Sequence, residues 1–448
     1  MGLKSDDLAR LSPEAQKQVM EKMRKPGKYK AQKTKRGELI FDSKKEAERY
    51  DALMLLQKAG EIRGLRLQVR YCLQEAYTTF DNVMAQATWC DMERTNQPLT
   101  NEAARKLMAL DVQDKEILTY EKLDEWYTAW GGQCYVSFSG GKDSTVLAYL
   151  AARYLSSFRT PHWELNLVFV NTGLEYPEIQ KFVNEYADWL RREFPRVTIN
   201  LYRLRPKMNI RQVVTKYGYS IVSKEMADTV YQTRKNPNCV RAKKLHGEML
   251  NKDGNKSSWN CDNWAFLLDA PFLVSSECCK VMKKSPAKSY EHRADVKPMT
   301  ATMAQESLFR MQKWRETGCN AFEGRRPLSK PMSFWTEQDV LRFIIDRQLP
   351  YASVYGDIVA SDGENDYGAT LIDCNLHCTG CQRTGCMFCA FGAHLEKGVN
   401  RFERMKLTHP KHYQFCIGGG AFDTDGLWKP TKDGLGYARV LDYIGVRY

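Results

Sequence analysis

Apolar and polar positions along this chain change period several times, and the changes mark out elements. Cys134-Tyr135-Val136-Ser137-Phe138 is a short apolar run of buried-strand length, and the apolar stretch from Thr145 to Ala152 is helical in character. Residues 165–170 and 197–202 form further strand-like runs. Residues 177–193, with stretches near 208–217 and 223–234, carry apolar side chains at helical spacing. Strands alternating with helices predict an α/β fold: a doubly wound, mostly parallel sheet with helices on both faces. In such a sheet ligands sit at the carboxyl ends of the strands.

The flanks differ. Up to about residue 80 the pattern reads as helix, basic loop, helix and strand. Ser43-Lys44-Lys45-Glu46 forms a capping box, Gly60 closes the helix it opens, and residues 65–71 alternate as a strand does. Residues 81–118 read as a polar connector with helical character, and 121–130 as an amphipathic helix. The expected organisation is a small α+β segment at 1–80, the connector at 81–118, a nucleotide-binding domain at 119–350 and a Cys-rich region at 351–448.

Composition narrows the class. Of 448 residues 43% are hydrophobic, which suits a globular chain. No apolar run approaches membrane-spanning length and no signal-peptide core opens the sequence, so a cytoplasmic protein without a membrane partner is expected. In that reducing compartment 14 cysteines are thiols or metal ligands rather than disulfides. The net charge is +13, and residues 1–70 hold 18 Lys/Arg against 10 Asp/Glu. Residues 22–37 contain eight basic side chains and no acidic one, a footprint for nucleic acid or a solvated arm. Oligomeric state is left open by the sequence.

The chemistry begins at Ser139-Gly140-Gly141-Lys142-Asp143-Ser144. A glycine-rich turn between strand and helix leaves backbone N–H groups pointing at one spot, where the helix dipole adds positive potential. Gly140 and Gly141 admit an anion closely, Ser137, Ser139 and Ser144 offer hydroxyls, and Lys142 brings a charge. Asp143 is placed to hold Mg²⁺ or to cap the helix. The spacing is not that of a Walker A loop. At the end of the second strand, Asn171-Thr172-Gly173 is positioned to meet a nucleoside. Cys278-Cys279, with Lys283 and Lys284 behind it, and Cys386-Met387-Phe388-Cys389 together offer four thiolates to a cluster or to zinc. Cys374, Cys378, Cys381 and Cys416 lie near the second pair, and of these Cys381 and Cys416 are candidate sulfur carriers. Glu306 and Arg310 are four apart on a helix and suited to pair. Thr336 is the expected cap of the helix that follows Ser333-Phe334-Trp335.

The hexamer, with Asn171-Thr172-Gly173 and Pro177-Glu178, resembles the pyrophosphate (PP) loop and Asp-Thr-Gly…Pro-Glu-Thr signature of the phosphoadenosine-phosphosulfate (PAPS) reductase family within the ATP-pyrophosphatase superfamily. Asn171 stands where that family carries aspartate. The resemblance runs over roughly 120–420. It implies an adenine-nucleotide α-hydrolase fold, Ser137 to Ser144 and Asn171 to Gly173 as nucleotide contacts, and Glu306 and Arg310 closing over the nucleotide. It also implies a [4Fe–4S] cluster on Cys278, Cys279, Cys386 and Cys389, with zinc as the rival occupant. The intact hexamer, and the absence of a cysteine after Cys416, favour the ATP-cleaving branch over APS/PAPS reductases. That branch implies ATP as substrate with Mg²⁺, release of AMP and pyrophosphate, and sulfur transfer with a sulfur-donor protein, with nucleic acid thiolation as one outcome. A sulfonucleotide reductase and a non-catalytic nucleotide- or nucleic-acid-binding module are the alternatives. Residues 3–80, with Phe41-Asp42-Ser43 and Ala59-Gly60-Glu61, resemble the front half of a phage-associated, nuclease-like domain of unknown function. The resemblance stops after Thr79, where only Glu46 remains as a metal-ligand candidate, and one carboxylate holds no Mg²⁺ for cleavage.

Overall fold

The computed structural model describes residues 34–36, 39–41, 98–157, 162–324, 326–360 and 375–448. The chain divides into two compact units, 1–81 and 82–448. In the first, strands β1 (Thr34–Arg36) and β2 (Leu39–Phe41) pair antiparallel, Thr34 opposite Phe41. The basic stretch read as a loop thus runs into a strand. The capping box at Ser43, Glu46 and the strand at 65–71 lie outside the described residues.

The second unit opens with α1 (Asn101–Met108) and α2 (Val112–Ala129). α2 starts nine residues before the predicted 121–130 helix, because Asp111 accepts from the Asp114 N–H at 2.8 Å and caps it there. Next come β3 (Cys134–Ser137), α3 (Lys142–Ser156), β4 (Glu164–Val170), α4 (Pro177–Glu193), β5 (Thr198–Leu204), α5 (Ile210–Tyr217), β6 (Ile221–Val222) and α6 (Lys224–Lys235). The chain continues through α7 (Ser285–Ala294), β7 (Lys297–Met299), α8 (Leu308–Thr317), β8 (Asn320–Ala321), β9 (Leu328–Ser329) and α9 (Glu337–Asp346). β10 (Ile358–Ala360), β11 (Leu376–Cys378) and β12 (Ala390–Phe391) follow.

Six strands form one sheet in the order β5-β4-β3-β7-β9-β8. All neighbours run parallel except β8 and β9. The α/β expectation is borne out. The chain moves outward from β3 through β4 to β5 and then returns to β7 on the other side of β3. That reversal opens a crevice at the carboxyl end of β3, where the glycine turn lies. β3 is almost wholly buried, and α3 is buried nearly all round, which explains its lack of a polar face. α4 begins at Pro177 and buries Ile179, Phe182, Val183, Tyr186 and Leu190 as one stripe. Thr336 caps α9 in a capping box with Asp339, as expected. Asp339 also pairs with the buried Lys115 at 2.7 Å, which locks α9 to α2. β12 returns to pair parallel with β6, Ala390 opposite Ile221. Among the described residues no helix is long and apolar enough to cross a membrane.

Candidate functional site

The helix read as beginning at Thr145 begins at Lys142, so Lys142, Asp143 and Ser144 form its first turn. Gly140 holds φ +73°, a left-handed conformation that glycine adopts without strain. The loop amides are met by hydroxyls. The Ser139 N–H donates to Ser144 Oγ (3.2 Å), the Gly141 N–H to Ser139 Oγ (3.3 Å) and the Lys142 N–H to the Tyr355 hydroxyl (3.2 Å). Tyr355 and Thr384 share a hydroxyl contact of 2.6 Å, and a Cβ on Gly141 would stand 3.3 Å from each of their oxygens. Tyr355 and Thr384 therefore lie directly against the helix N-terminus.

Lys142 departs from expectation. Its ammonium is buried, pairs with the Glu337 carboxylate and donates to the Gln382 carbonyl at 3.0 Å. Asp143 does not cap the helix, since Gly141 is the N-cap and supplies no side chain. Its Oδ1 is buried without a hydrogen-bond partner. Burial, with Glu306 and Glu337 adding negative charge, pushes its pKa up to about 6. An orphaned carboxylate oxygen beside a phosphate-type loop is a fitting place for a divalent cation.

A cavity of about 200 Å³ opens at the carboxyl ends of β3 and β4. Ser137, Phe138 and Ser139 form one wall, Val168 to Val170 with Glu175 a second, and Thr384-Gly385 a third. Lys283, Lys284 and Arg326 supply the positive charge that Lys142 does not. Arg326 also binds Glu291 through two guanidinium nitrogens. Sequence reasoning noted the two lysines only as neighbours of the Cys-Cys pair and missed Arg326, Tyr355 and Thr384. Nothing local in their surroundings marks them.

The thiols converge on the same place. Burial pushes the Cys278 thiol up, and Cys386, Cys279 and Cys389 around it push it further. Cys386 is raised to about 11 by burial, against the pull of Lys283. Burial works against the Lys283 ammonium, yet Cys386, Glu175 and Cys279 hold its pKa above the ordinary value. Directly after Cys279 the helix widens into a π-turn over Lys280–Lys284, a device that re-aims side chains. The Met387 N–H donates to the Leu174 carbonyl at 2.8 Å, tying the Cys-x-x-Cys turn to the end of β4. Among the described residues no three His, Cys, Asp or Glu side chains stand so as to hold a single metal ion. Cys279, Cys386 and Cys389 all act on Cys278, so the four thiols share one neighbourhood, a donor set that fits a sulfur-liganded metal group.

Other predicted residues are absent from the lining of this cavity. Asn171 exchanges amide hydrogen bonds with Gln180 (3.1 and 2.9 Å), and Thr172 donates to Glu175 at 2.6 Å, so Asn171-Thr172-Gly173 orients Glu175. Glu306 and Arg310 pair with each other, the simpler of the two readings of their spacing. Ser144 is buried and also donates to the Gly141 carbonyl at 2.9 Å. Cys381 is buried against Tyr176. Cys416 is fully buried, which pushes its thiol well above the ordinary range. Cys374 lies outside the described residues.

Residues 133–237 match the phosphoadenosine phosphosulfate reductase domain family, which bears out the resemblance over those residues. Residues 26–112 match a protein family of unknown function (DUF1064), which extends past Thr79, where the resemblance read from the sequence stops. No curated protein matches the chain. Among solved structures, the chain is similar to the crystal structure of phosphoadenylyl-sulfate (PAPS) reductase from Candida auris in its phosphate complex. That match has 15% identity, covers 57% of this chain and 90% of the other, and has a TM-score of 0.28, too low to carry an argument.

Proposed function

We propose that the cavity binds the phosphate end of ATP, that an acceptor oxygen attacks the α-phosphorus and displaces pyrophosphate, and that a sulfur donor then displaces AMP from the adenylated acceptor. The observation that carries this reading is the meeting of Ser137 and Ser139, where the glycine turn begins, with Lys283, Lys284 and Arg326 around one space. The space is smaller than a typical small-molecule site, so the nucleoside would extend beyond it. Phosphate oxygens would take the places now held by the Ser139, Ser144 and Tyr355 hydroxyls on the loop amides. Lys283 and Lys284 would neutralise charge as pyrophosphate leaves. Asp143 would hold Mg²⁺, which supplies charge neutralisation on the phosphates. Lys142 would act through Glu337 and Gln382, holding the first turn of α3 in place. Cys278, Cys279, Cys386 and Cys389 would hold an iron–sulfur cluster, which supplies an anionic, redox-active group beside the cavity.

A second reading, a sulfonucleotide reductase, is favoured by the domain match at 133–237. One experiment separates the two. The full chain is purified without oxygen, its iron and acid-labile sulfide are measured, and the same sample is offered ATP, APS and PAPS. Iron with sulfide, plus AMP and pyrophosphate from ATP, supports the first reading. Sulfite from APS or PAPS replaces it with the second. Zinc without sulfide overturns the cluster assignment.

A further inference from the structure

Between Phe194 and Lys224 the chain carries seven cations (Arg196, Arg203, Arg205, Lys207, Arg211, Lys216 and Lys224) and no Asp or Glu. This stretch covers the edge strand β5 and the whole of α5. It is distinct from the N-terminal basic segment. Its cations follow a path. The Arg203 guanidinium lies 5.8 Å from the ring of Phe169, which lines the nucleotide cavity. Arg205 and Lys207 follow the carboxyl end of β5 and are exposed. Arg211 and Lys216 are exposed on α5, which packs against the Glu277–Cys279 turn. Arg211, Gln212 and Thr215 then face Pro430, Thr431 and Lys432 across a second cavity of about 350 Å³. Among the described residues, no carboxylate pairs with Arg205, Lys207, Arg211, Lys216 or Lys432. The nearest in sequence to Lys432 is Asp433, whose N–H is turned to Thr431 Oγ1 at 3.3 Å.

Exposed cations without carboxylate partners, beside a cleft that offers two threonine hydroxyls and an amide, fit a chain of phosphates, not an isolated anion. The path ends at the cavity proposed to activate an acceptor, and a base stacked in a duplex could not reach that cavity. We propose that α5 and the 430–432 loop form a track for single-stranded nucleic acid, delivering the acceptor nucleotide to the cavity. The identification as an acceptor rests on the reading in the previous subsection, whereas the binding surface stands on its own.

The test uses the full chain and two 5′-labelled 20-mers, oligo(dT) and oligo(U), with fluorescence anisotropy from 50 to 300 mM salt. Three sets of variants are compared. They are Arg211→Ala/Lys216→Ala/Lys432→Ala on the track, Lys181→Ala/Lys313→Ala/Lys411→Ala on other exposed surfaces, and Lys28→Ala/Lys30→Ala/Lys33→Ala in the N-terminal segment. The expected result is saturable binding by the wild type. The track variant should lose at least tenfold in affinity at 150 mM salt, with the salt slope reduced by about 2, since each lost phosphate contact on a single strand removes about 0.7. The surface control should stay near wild type. Preference for oligo(dT) or oligo(U) identifies DNA or RNA as the source of the strand. The track is overturned if the wild type binds neither oligomer, if the surface control loses as much, if the N-terminal variant abolishes binding that the track variant keeps, or if phosphatidylglycerol vesicles are bound in place of the oligomers. AMP release from ATP is measured on the same samples. Its absence throughout removes the nucleotide reading and leaves the binding result intact, whereas AMP release without oligomer binding removes the track alone.

Discussion

Replacing Asp143 by asparagine tests the first turn of α3 directly. In the unfolded chain this carboxyl titrates at 3.8, and in the fold burial raises it to about 6. The folded state therefore binds the proton more tightly. The contribution to stability is full below about pH 3.8 and is lost as pH rises through 6. At 1.36 kcal/mol per pH unit, the ionised side chain costs the fold up to about 3 kcal/mol at pH 8. About half of that cost remains at pH 5. Asparagine has the same shape and no charge. For a unit of roughly 370 residues, unfolding entropy near 2.1 cal/mol/K per residue converts about 3 kcal/mol into a rise of about 4 °C in melting temperature. Thermal scans of Asp143→Asn and wild type at pH 8 and pH 5, without nucleotide, should show the variant gaining most at pH 8. Adding Mg²⁺ and ATP should then stabilise the wild type more than the variant, because the cation loses its carboxylate. Equal gains at both pH values, or a variant less stable than wild type at pH 8, would refute the argument that burial strains this charge.

Three further outcomes follow from the geometry. Gly140→Ala places a Cβ 2.9 Å from Ile179 Cγ2 and Val183 Cγ2 at φ +73°, so about 1–3 kcal/mol of stability and most nucleotide affinity should be lost, as read by melting and calorimetry with ATP. Tyr355→Phe removes the hydroxyl that meets the Lys142 N–H and Thr384, costing about 1–3 kcal/mol without ligand. Saturating pyrophosphate should restore much of that loss by giving the amide a new acceptor. Asp339→Ala strands the buried Lys115 ammonium and removes the carboxylate that accepts from the Thr336 N–H and hydroxyl at the start of α9; chemical denaturation should show about 3–5 kcal/mol lost, with the iron content of freshly purified protein unchanged.

The sheet and the loop were legible because their signals are local. Three strands and their crossover helices announce themselves by apolar runs and spacing, and Gly140 and Gly141 sit beside the very hydroxyls that meet their neighbours' amides. The Asp111 cap was equally local, and α2 was read short because the polar residues Lys115, Glu116 and Lys122 are in fact buried. What the sequence could not show is tertiary. Lys142 finds Glu337 and Gln382 from far along the chain, so its charge leaves the cavity it was expected to serve. Arg326 enters beside Lys283 and Lys284 from the loop between β8 and β9, and no spacing rule links them. Cys381 and Cys416 are both buried, which no local spacing in the sequence signals.

The parallel pairing of Ile221 with Ala390 has a consequence for when the cavity is completed during synthesis. Such a pairing closes a loop spanning well over a hundred residues, and contacts of that separation form late. The wall made by Thr384-Gly385 and the second pair of thiols arrive with that closure. A ribosome-bound chain can therefore have completed β3, α3 and β4 while the cavity still lacks one side, and the proposed nucleotide binding must await the return of the C-terminal segment.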